Sequence, residues 1–344
     1  MSYPQAHHGP RLYDFRSDTV TKPTPAMLAA MAAAEVGDDV WGDDPTVNRL
    51  QAVAAERLGF EAGLFAPSGT QSNLIGLLTH CQRGDEYLVG QDAHTYKYEG
   101  GGAAVLGSIQ PQPLENAADG SIPLAKLQKA VKPRDAHFAR TRLLALENTI
   151  GGKLLPAAYV AEATAWAKGI GLATHLDGAR LANAAVASAR SLREMSAGFD
   201  SVSLCLSKGL GAPVGSLLLG SRAFIDEAKR WRKMLGGGMR QAGILAAAGL
   251  YALDHHLERL AEDHENAARL AQGLAALPGL SVLAPQTNIV FVSVDAAIAE
   301  RFAAHLAGQG ILISGSTEQR WVTHLDVDAA AVDAALAVAQ RFFG

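Results

Sequence analysis

Hydrophobic residues in the first 250 positions alternate between short runs bounded by turn residues and longer runs with helical spacing. Short runs of this kind predict buried strands, and their alternation with helices is typical of a mainly parallel α/β sheet. Helices are expected over residues 25–35 and 46–58 and within SNLIGLL and AAYVAEATAWAKG. The expected strands are GLFA, EYLVG, AVLGS, RLLALEN, LATHLDG, SVSLCLSKG and GSLLLG.

The last part of the chain has a different pattern. A long helical stretch over residues 241–277 precedes NIVFVSV, a helix, ILISG, RWVTHLDV and a final helix, which together predict a smaller α+β unit. We therefore expect a flexible tail over residues 1–14, a large α/β domain over 15–250 and a small α+β domain over 251–344.

Composition and charge narrow the possible classes of protein. The chain has 344 residues, of which 49% are hydrophobic and 19% charged, as in folded globular proteins. A net charge of −4 without a basic block gives no indication of nucleic acid or a membrane surface as partner. No secretory signal and no long apolar span is visible, so a soluble cytoplasmic protein is expected. Cys81 and Cys205 lie in apolar surroundings without metal-ligand spacing, which predicts buried free thiols and no metal site.

A small hydroxyl-rich turn, Ser68-Gly69-Thr70, joins the strand GLFA to the helix that follows it. The first N–H groups of a helix have no partner within the helix and carry a partial positive charge, so such a turn can hold a phosphate. The same turn also serves as an ordinary helix cap.

Two charged residues follow buried strands. Asp177 ends the strand in THLDGAR, where a buried carboxylate is costly without a partner. It could pair with a pyridinium nitrogen, form an ordinary ion pair or cap the N-terminus of a helix. Lys208 lies between the apolar run SVSLCLS and the turn GLGAPVG, and an amine kept from water is suited to Schiff-base chemistry. One strand–helix–strand unit separates these two residues, so both are expected at the same edge of the sheet. A phosphate turn, then an acid, then a lysine is the order of aspartate-aminotransferase-like, fold type I pyridoxal phosphate enzymes.

Long segments throughout the chain resemble the low-specificity L-threonine aldolases. The matching strings run from residue 15 to residue 328, and they occur in the order of that family. They are FRSDTVTKPT, VGDDVWGDDPTVNRL, PSGTQSNL, GQDAHTYKYEGGGAAVLGS, HFARTRLLALENT, HLDGARLANA, CLSKGLGAPVGSLL, KMLGGGMRQAGILAAAG and RWVTHLD. The resemblance implies a fold type I domain with a seven-stranded-type, mainly parallel sheet and pyridoxal 5′-phosphate as cofactor.

The resemblance also implies a role for individual residues. Lys208 would form the Schiff base, Asp177 would pair with the pyridinium nitrogen, and His94 in DAHTY would stack on the cofactor ring. The expected ligands of the cofactor phosphate region are Gly69, Thr70 and Arg240, the last supplied by a neighbouring subunit, and Arg180 is a further expected cofactor-binding residue. The expected ligands of the substrate are Ser17, Arg180, Arg320 and Trp41, with the arginines gripping its carboxylate in fork geometry.

The implied reaction is the retro-aldol cleavage of L-threonine, L-allo-threonine and related β-hydroxy-α-amino acids to glycine and an aldehyde. His94, or a water that it orders, is the expected base, whereas His137 either recognises the substrate hydroxyl or is a structural histidine. Another fold type I lyase, such as a phenylserine aldolase, is the alternative enzyme, and a pyridoxal phosphate carrier is the alternative outside enzymes. A homo-oligomer, a dimer of dimers with the site at an interface, is also implied.

Two positions depart from the family pattern. Trp41 stands where the family usually has tyrosine, and an indole can only donate a hydrogen bond. Ile150 follows ENT, where many members have histidine, so a polar group near the cofactor is expected to be absent.

Overall fold

The structure, a computed structural model, describes residues 13–344. Contacts within the chain divide it into two compact units. The larger unit covers residues 22–260, and the smaller one combines residues 261–344 with the N-terminal segment that ends at Thr21. Each unit has a hydrophobic core of its own.

Helices and strands are numbered along the chain. Within the described residues the strands are β1 (Tyr13–Asp14), β2 (Ala62–Ala66), β3 (Asp85–Gly90), β4 (Gln110–Leu114), β5 (Arg140–Glu147), β6 (Ala173–Gly178), β7 (Ser201–Cys205), β8 (Ser216–Gly220), β9 (Leu280–Leu283), β10 (Ile289–Val294), β11 (Ile311–Leu312) and β12 (Glu318–Val322). The α-helices are α1 (Pro25–Ala32), α2 (Pro45–Leu58), α3 (Gly69–His80), α4 (His94–Lys97), α5 (Gly102–Gly107), α6 (Leu124–Ala130), α7 (Ala157–Gly169), α8 (Leu181–Ala187), α9 (Leu192–Ser196), α10 (Arg222–Met234), α11 (Gly243–His255), α12 (Leu260–Ala275), α13 (Ala299–Gly308) and α14 (Ala329–Phe343), with a 3₁₀ helix over Asp18–Val20.

The larger unit is built on a sheet whose strand order, over the described residues, is β2-β8-β7-β6-β5-β3-β4. Only β8 among these seven strands runs antiparallel to its neighbours, which confirms the expected mainly parallel seven-stranded sheet. The strands β3, β6 and β7 are almost entirely buried, and β5 is buried over most of its second half, because helices cover both faces of a parallel sheet. The carboxyl ends of neighbouring strands therefore meet at one edge, which is where the chain leaves each strand for a loop.

One expected strand is a helix. The residues AVLGS fall in α5 and the turn after it, and Val105 in this helix is 75% exposed. The strand is instead β4, QPQPL, which pairs only with β3 at the edge of the sheet. Its two prolines lack backbone donors, and an edge strand tolerates them because one of its sides has no partner strand. The prolines removed the usual strand signal from β4.

The expected domain limits, 15–250 and 251–344, need correction at both ends. Tyr13 and Asp14 pair in parallel with Ile311 and Leu312 and so belong to strand β1, not to a loose tail. The following residue, Phe15, is fully buried in the core of the smaller unit. The expected helix over 241–277 is two helices, α11 and α12, and the boundary between the units falls between them. Residues 1–12 of the expected tail lie outside the described residues.

The smaller unit is α+β, as expected. Its three-stranded antiparallel sheet has the order β12-β10-β9, and α12, α13 and α14 contribute to its core. Among residues 13–344, no helix is both long enough and apolar enough to cross a membrane.

Phe15→Ala tests the assignment of the N-terminal segment to the smaller unit. The Phe15 ring packs edge-on against the buried Trp321 ring, with 5.4 Å between centroids. Removing it should lower the free energy of unfolding of this unit by about 3–5 kcal/mol, because a large buried ring is replaced by a cavity. Denaturant unfolding followed by tryptophan fluorescence measures this. Leu283→Ala, at a side chain that is 63% exposed, is the control, and equal stability of the two variants would contradict the assignment.

Candidate active site

Asp177 lies near the carboxyl end of β6 and is buried. Its Oδ1 accepts a hydrogen bond from the backbone N–H of Ala179 at 2.9 Å, and its Oδ2 accepts one from the amide of Asn73 at 2.8 Å. Asn73 belongs to α3, which packs against the sheet beside this strand. Both hydrogen bonds are donated to the carboxylate, so they hold it in one orientation.

Three further polar groups converge on Asp177. Nδ1 of His94 lies 2.8 Å from Oε1 of Glu99, and the same Glu99 oxygen accepts a second bond from the Asn73 amide at 2.9 Å. Glu147, at the end of β5, accepts a hydrogen bond from the backbone N–H of His94 at 2.7 Å. Polar atoms of His94, Glu99 and Asp177 all lie within 4.8 Å of one another. We call Glu99, Glu147 and Asp177 the carboxylate cluster.

Burial, and the approach of Asp177, raise the pKa values of the two glutamates. Burial raises the pKa of Glu99, and the negative charge of Asp177 raises it further. Burial, followed by the charge of Asp177, raises the pKa of Glu147 to about 8. The hydrogen bond to Glu99 raises the pKa of His94, against the opposing effect of partial burial. A cationic group placed against Asp177 would relieve this repulsion, so the cluster is electrostatically suited to a protonated ring nitrogen.

The imidazole of His94 and the carboxylates of Glu99 and Asp177 are groups that can also bind a metal ion, but their hydrogen bonds fit a cofactor ring better. Oε1 of Glu99 already accepts hydrogen bonds from both His94 and Asn73, and the same Asn73 amide also donates to Oδ2 of Asp177. These contacts fix the groups against each other. A metal ion would have to replace several of them, whereas a pyridinium N–H needs only one carboxylate.

Lys208 follows β7, the strand next to β6, and its side chain is half-buried. The turn around it is closed by a hydrogen bond from the N–H of Gly211 to the carbonyl of Lys208 at 2.8 Å. The charge of its ammonium acts to lower the pKa of both His94 and Glu147. The sequence-predicted acid and lysine therefore lie at the same edge of the sheet.

The N-terminus of α3 has the features of a phosphate site. Ser68 caps the helix by accepting a hydrogen bond from the N–H of Gln71 at 3.2 Å, and Gly69 and Thr70 take the first helical positions. A Cβ on Gly69 would lie 3.4 Å from the hydroxyl of Ser216, which is buried and has no hydrogen-bond partner in the structure. An anion at the exposed N–H groups could accept from this hydroxyl as well. The residues present therefore fit both the ring and the phosphate of pyridoxal phosphate.

The other predicted ligands occupy different places. Arg180 is the N-cap of α8, three residues beyond Asp177, and is half-buried at the same edge of the sheet. Ser17 and Arg320 belong to the smaller unit, where Ser17 caps the 3₁₀ helix and Arg320 lies in β12. Arg240 is exposed and forms an ion pair with Asp38 at 2.9 Å.

Two aromatic or imidazole candidates lie outside the cluster. Trp41 is 78% exposed in the loop between α1 and α2. His137 precedes the first residue of β5 by three positions, and its side chain is 86% exposed beside Asp135. Because Glu147 ends that eight-residue strand, His137 lies at the opposite edge of the sheet, and the strand between them alone spans roughly 23 Å at the usual rise per residue. The expectation that His137 shares the site with His94 is therefore incorrect for a single subunit.

The second departure from the family pattern is accommodated by packing. Ile150 is 7% exposed and contributes to the main hydrophobic core. A Cβ added to Gly120 would overlap its methyl group, so the Ile150 side chain packs directly against the backbone of Gly120.

Sequence reasoning missed Asn73, Glu99 and Glu147. Glu147 is an acid at the end of an apolar strand, the same signal that identified Asp177, and could have been found in that way. Asn73 and Glu99 carry no comparable local signal. They reach the cluster only because α3 and the loop after α4 pack over the edge of the sheet.

Comparisons with known proteins show which families and folds this chain resembles. The model of the beta-eliminating lyase family matches residues 14–297. The low specificity L-threonine aldolase of Escherichia coli K12 is 57% identical over 316 residues, which are 92% of this chain and 95% of that protein. The solved threonine aldolase of Leishmania major has a TM-score of 0.83 at 22% identity, covering 96% of this chain and all of that one (100%). Serine palmitoyltransferase of Sphingomonas wittichii has a TM-score of 0.76 at 19% identity, covering 96% and 86%. These two structures show the fold alone.

Glu99→Gln tests the coupling between His94 and the carboxylate cluster. The hydrogen bond to the Glu99 carboxylate is the main cause of the raised pKa of His94, so a neutral amide should lower that pKa. NMR titration of the His94 ring measures the change. Glu115→Gln, which removes an exposed carboxylate paired with Lys126, is the control and should leave the His94 titration unchanged. An unaltered His94 pKa in Glu99→Gln would show that the pair is not formed.

Proposed function

The chain belongs to the beta-eliminating lyase family and, within it, to the low-specificity L-threonine aldolases, and from that premise we propose how its own residues cleave their substrate. The protein is a lyase that uses pyridoxal phosphate. It cleaves L-threonine, L-allo-threonine and related β-hydroxy-α-amino acids into glycine and an aldehyde. The observation that carries this function is the meeting of Lys208, Asp177 and the N-terminus of α3 at one edge of the sheet.

Each part of this edge would hold one part of the cofactor. Asp177 would pair with the ring nitrogen, Gly69 and Thr70 would bind the phosphate with Ser216 beside them, and Lys208 would supply the attaching amine. When bound, pyridoxal phosphate supplies an electron sink for the pair of electrons released from the Cα–Cβ bond. The ionised carboxylate of Asp177 is needed for that property, because it favours a protonated ring nitrogen.

His94 is the proposed base for the β-hydroxyl proton. Its Nδ1 faces Glu99, so in the neutral ring the proton resides on Nδ1 and the lone pair of Nε2 remains available. The Glu99 carboxylate stabilises the imidazolium that forms when Nε2 takes the proton. The His94 side chain is 35% exposed, which leaves room for a substrate or for an intervening water.

Ser17, Arg180 and Arg320 remain the proposed ligands of the substrate carboxylate. A guanidinium binds a carboxylate through two parallel hydrogen bonds, which fixes its direction as well as its position. Holding the carboxylate in this way sets which bond at Cα lies perpendicular to the cofactor ring, and alignment of the reacting orbitals contributes much of the rate in such a site.

We further propose a homo-oligomer, a dimer of dimers in which Arg240, with Trp41 beside it, acts in the site of a neighbouring subunit. Arg240 and Trp41 are held near each other, because the Asp38 side chain pairs with the guanidinium and the Asp38 backbone carbonyl accepts a hydrogen bond from the backbone N–H of Trp41. Exposed apolar side chains occur in the same part of the larger unit, namely Leu28, Val36, Val40, Met234 and Ile244. Sedimentation that shows a monomer at assay concentrations would exclude this arrangement. A cytoplasmic location is also proposed, and the buried free thiols of Cys81 and Cys205 support it.

Lys208→Ala tests the function itself. The wild-type protein should show an absorption band at the border of the visible and ultraviolet and release glycine from L-threonine, L-allo-threonine and L-phenylserine. The variant lacks the attaching amine and should lose both the band and the release of glycine. Lys233→Ala removes a lysine of α10 and serves as the control. Release of glycine only from L-phenylserine would favour a phenylserine aldolase, whereas a band without any turnover would favour a carrier.

His94→Phe and His137→Phe separate the two candidate histidines. Loss of the proposed base should change the pH dependence of kcat/KM in His94→Phe, because the group whose pKa Glu99 raises is then absent. His137→Phe should keep the wild-type inflections even if it alters KM, since its ring is remote from the carboxylate cluster of its own subunit. Rate profiles over pH measure both. An unchanged profile in His94→Phe would exclude His94 as the base.

A further inference from the structure

A chain of buried polar side chains extends from Asp177 into the interior, between α3 and the strands β6 and β7. Oδ1 of Asn73 lies 3.3 Å from Nε2 of His175, and Nδ1 of His175 lies 2.8 Å from the hydroxyl of Ser201. The same hydroxyl lies 2.7 Å from Nε2 of His80. Asn73, His175 and Ser201 are all buried, and this set of side chains, with His80, is here called the interior chain.

The positions of these residues show how the fold assembles the interior chain. Asn73, Gly76 and His80 recur at helical spacing, so they share the face of α3 that lies on the sheet. His175 precedes Asp177 by two positions on β6 and therefore points to the same face of the sheet, and Ser201 is its partner on β7. A Cβ on Gly76 would lie only 2.8 Å from Cε1 of His175, so the glycine makes room for the imidazole.

The direction of every hydrogen bond in the interior chain follows from the carboxylates at its end. Both N–H bonds of the Asn73 amide are directed to carboxylates, one of Asp177 and one of Glu99, so the amide oxygen has to accept from His175. His175 then carries its proton on Nε2, and its Nδ1 accepts from the hydroxyl of Ser201. That hydroxyl is left to accept from Nε2 of His80.

Burial keeps both imidazoles neutral, as this order of donors requires. Desolvation lowers the pKa of His175 to about 3 and that of His80 to about 4. The imidazoles therefore add no charge beside the cofactor site at neutral pH. They contribute directed hydrogen bonds in a region of low polarity, where such bonds are strong and an unpaired group is costly.

We propose that His175, Ser201 and His80 are positioning residues for pyridoxal phosphate. By donating to the amide oxygen of Asn73, His175 satisfies that buried acceptor and holds the amide in place while its two N–H groups are directed to Asp177 and Glu99. Without this donor the amide oxygen would be a buried acceptor without a partner, and the amide would be less firmly held. Asp177 would then lose part of the hydrogen bonding that orients it toward the ring nitrogen. This inference rests on the proposed function only in taking pyridoxal phosphate as the cofactor.

Two substitutions of His175 separate this role from simple packing. His175→Phe keeps a ring of similar size and loses the donor, whereas His175→Gln loses the ring but keeps an amide N–H at a similar distance from the backbone. If the ring only fills space, the phenylalanine variant should bind pyridoxal phosphate more tightly than the glutamine variant. If the donor orients Asn73, the glutamine variant should bind it more tightly.

The measurement is the dissociation constant of pyridoxal phosphate. It is obtained by dialysing each holoenzyme against a series of cofactor concentrations and measuring the absorption band of the protein-bound cofactor at each one. His175→Phe should weaken binding about 10-fold or more, and His175→Gln should stay within about threefold of wild type. His305→Phe is the matched control, because it also removes an imidazole that makes one hydrogen bond, to the carbonyl of Val338 in the smaller unit. It should bind the cofactor as wild type does.

Each outcome bears on the proposal. Tighter binding by His175→Phe than by His175→Gln, or wild-type binding by both, would overturn it. Should both His175 variants fail to fold in a thermal melt, Ser201→Ala decides, since it removes the donor to Nδ1 with little loss of volume. That variant should bind the cofactor several-fold more weakly, and wild-type binding would overturn the proposal. Wild-type protein that binds pyridoxal phosphate but releases no glycine would contradict the proposed function and leave the positioning role intact.

Discussion

The buried carboxylate of Asp177 is the constraint on which the rest of the site depends. An ionised acid at the end of an interior strand is costly unless donors and a cation compensate it. Here the Asn73 amide and a backbone N–H donate to it. Burial, together with the charge of Asp177, raises the pKa values of the neighbouring Glu99 and Glu147, so a cation beside Asp177 would relieve the repulsion among them. The edge of the sheet is thereby prepared for a positively charged ring before any cofactor binds, which is the electrostatic preorganisation that catalysis at such sites requires.

The two sides of Asp177 differ in a way that suits this task. On the side of Asp177 that faces the loops, His94 and Lys208 are partly exposed, so they can transfer protons to a substrate or form bonds with it. Toward the interior, His175 and His80 are neutral and completely or largely enclosed. The neutral imidazoles hold the Asp177 carboxylate in place through hydrogen bonds by way of Asn73 and add no positive charge that would compete with the cofactor for it. The parallel sheet makes this possible, because neighbouring strands present their ends to the loops and their middles to the covering helices.

Much of this could be predicted from residues in sequence. The alternation of apolar runs and helical spacing predicted the mainly parallel sheet, and Asp177 and Lys208 each follow an apolar strand. The strand β4 was missed because its prolines mask the pattern, and Phe15 was placed in the wrong unit because nothing in its neighbourhood reveals that it packs on Trp321. His137 was grouped with His94 by residue type, whereas β5 separates the two along its length.

The sequence by itself determined which residues end the buried strands and which turn begins α3, because strand periodicity, glycine and helix caps act over a few neighbouring positions. It also determined the family, through long strings that match in order. Only the tertiary structure decided that Asn73 bridges Asp177 and Glu99, and that His175 finds its partners on α3 and β7. Those contacts join residues from 26 to 104 positions apart, and they exist because burying α3 against the sheet leaves these enclosed polar groups to pair with one another.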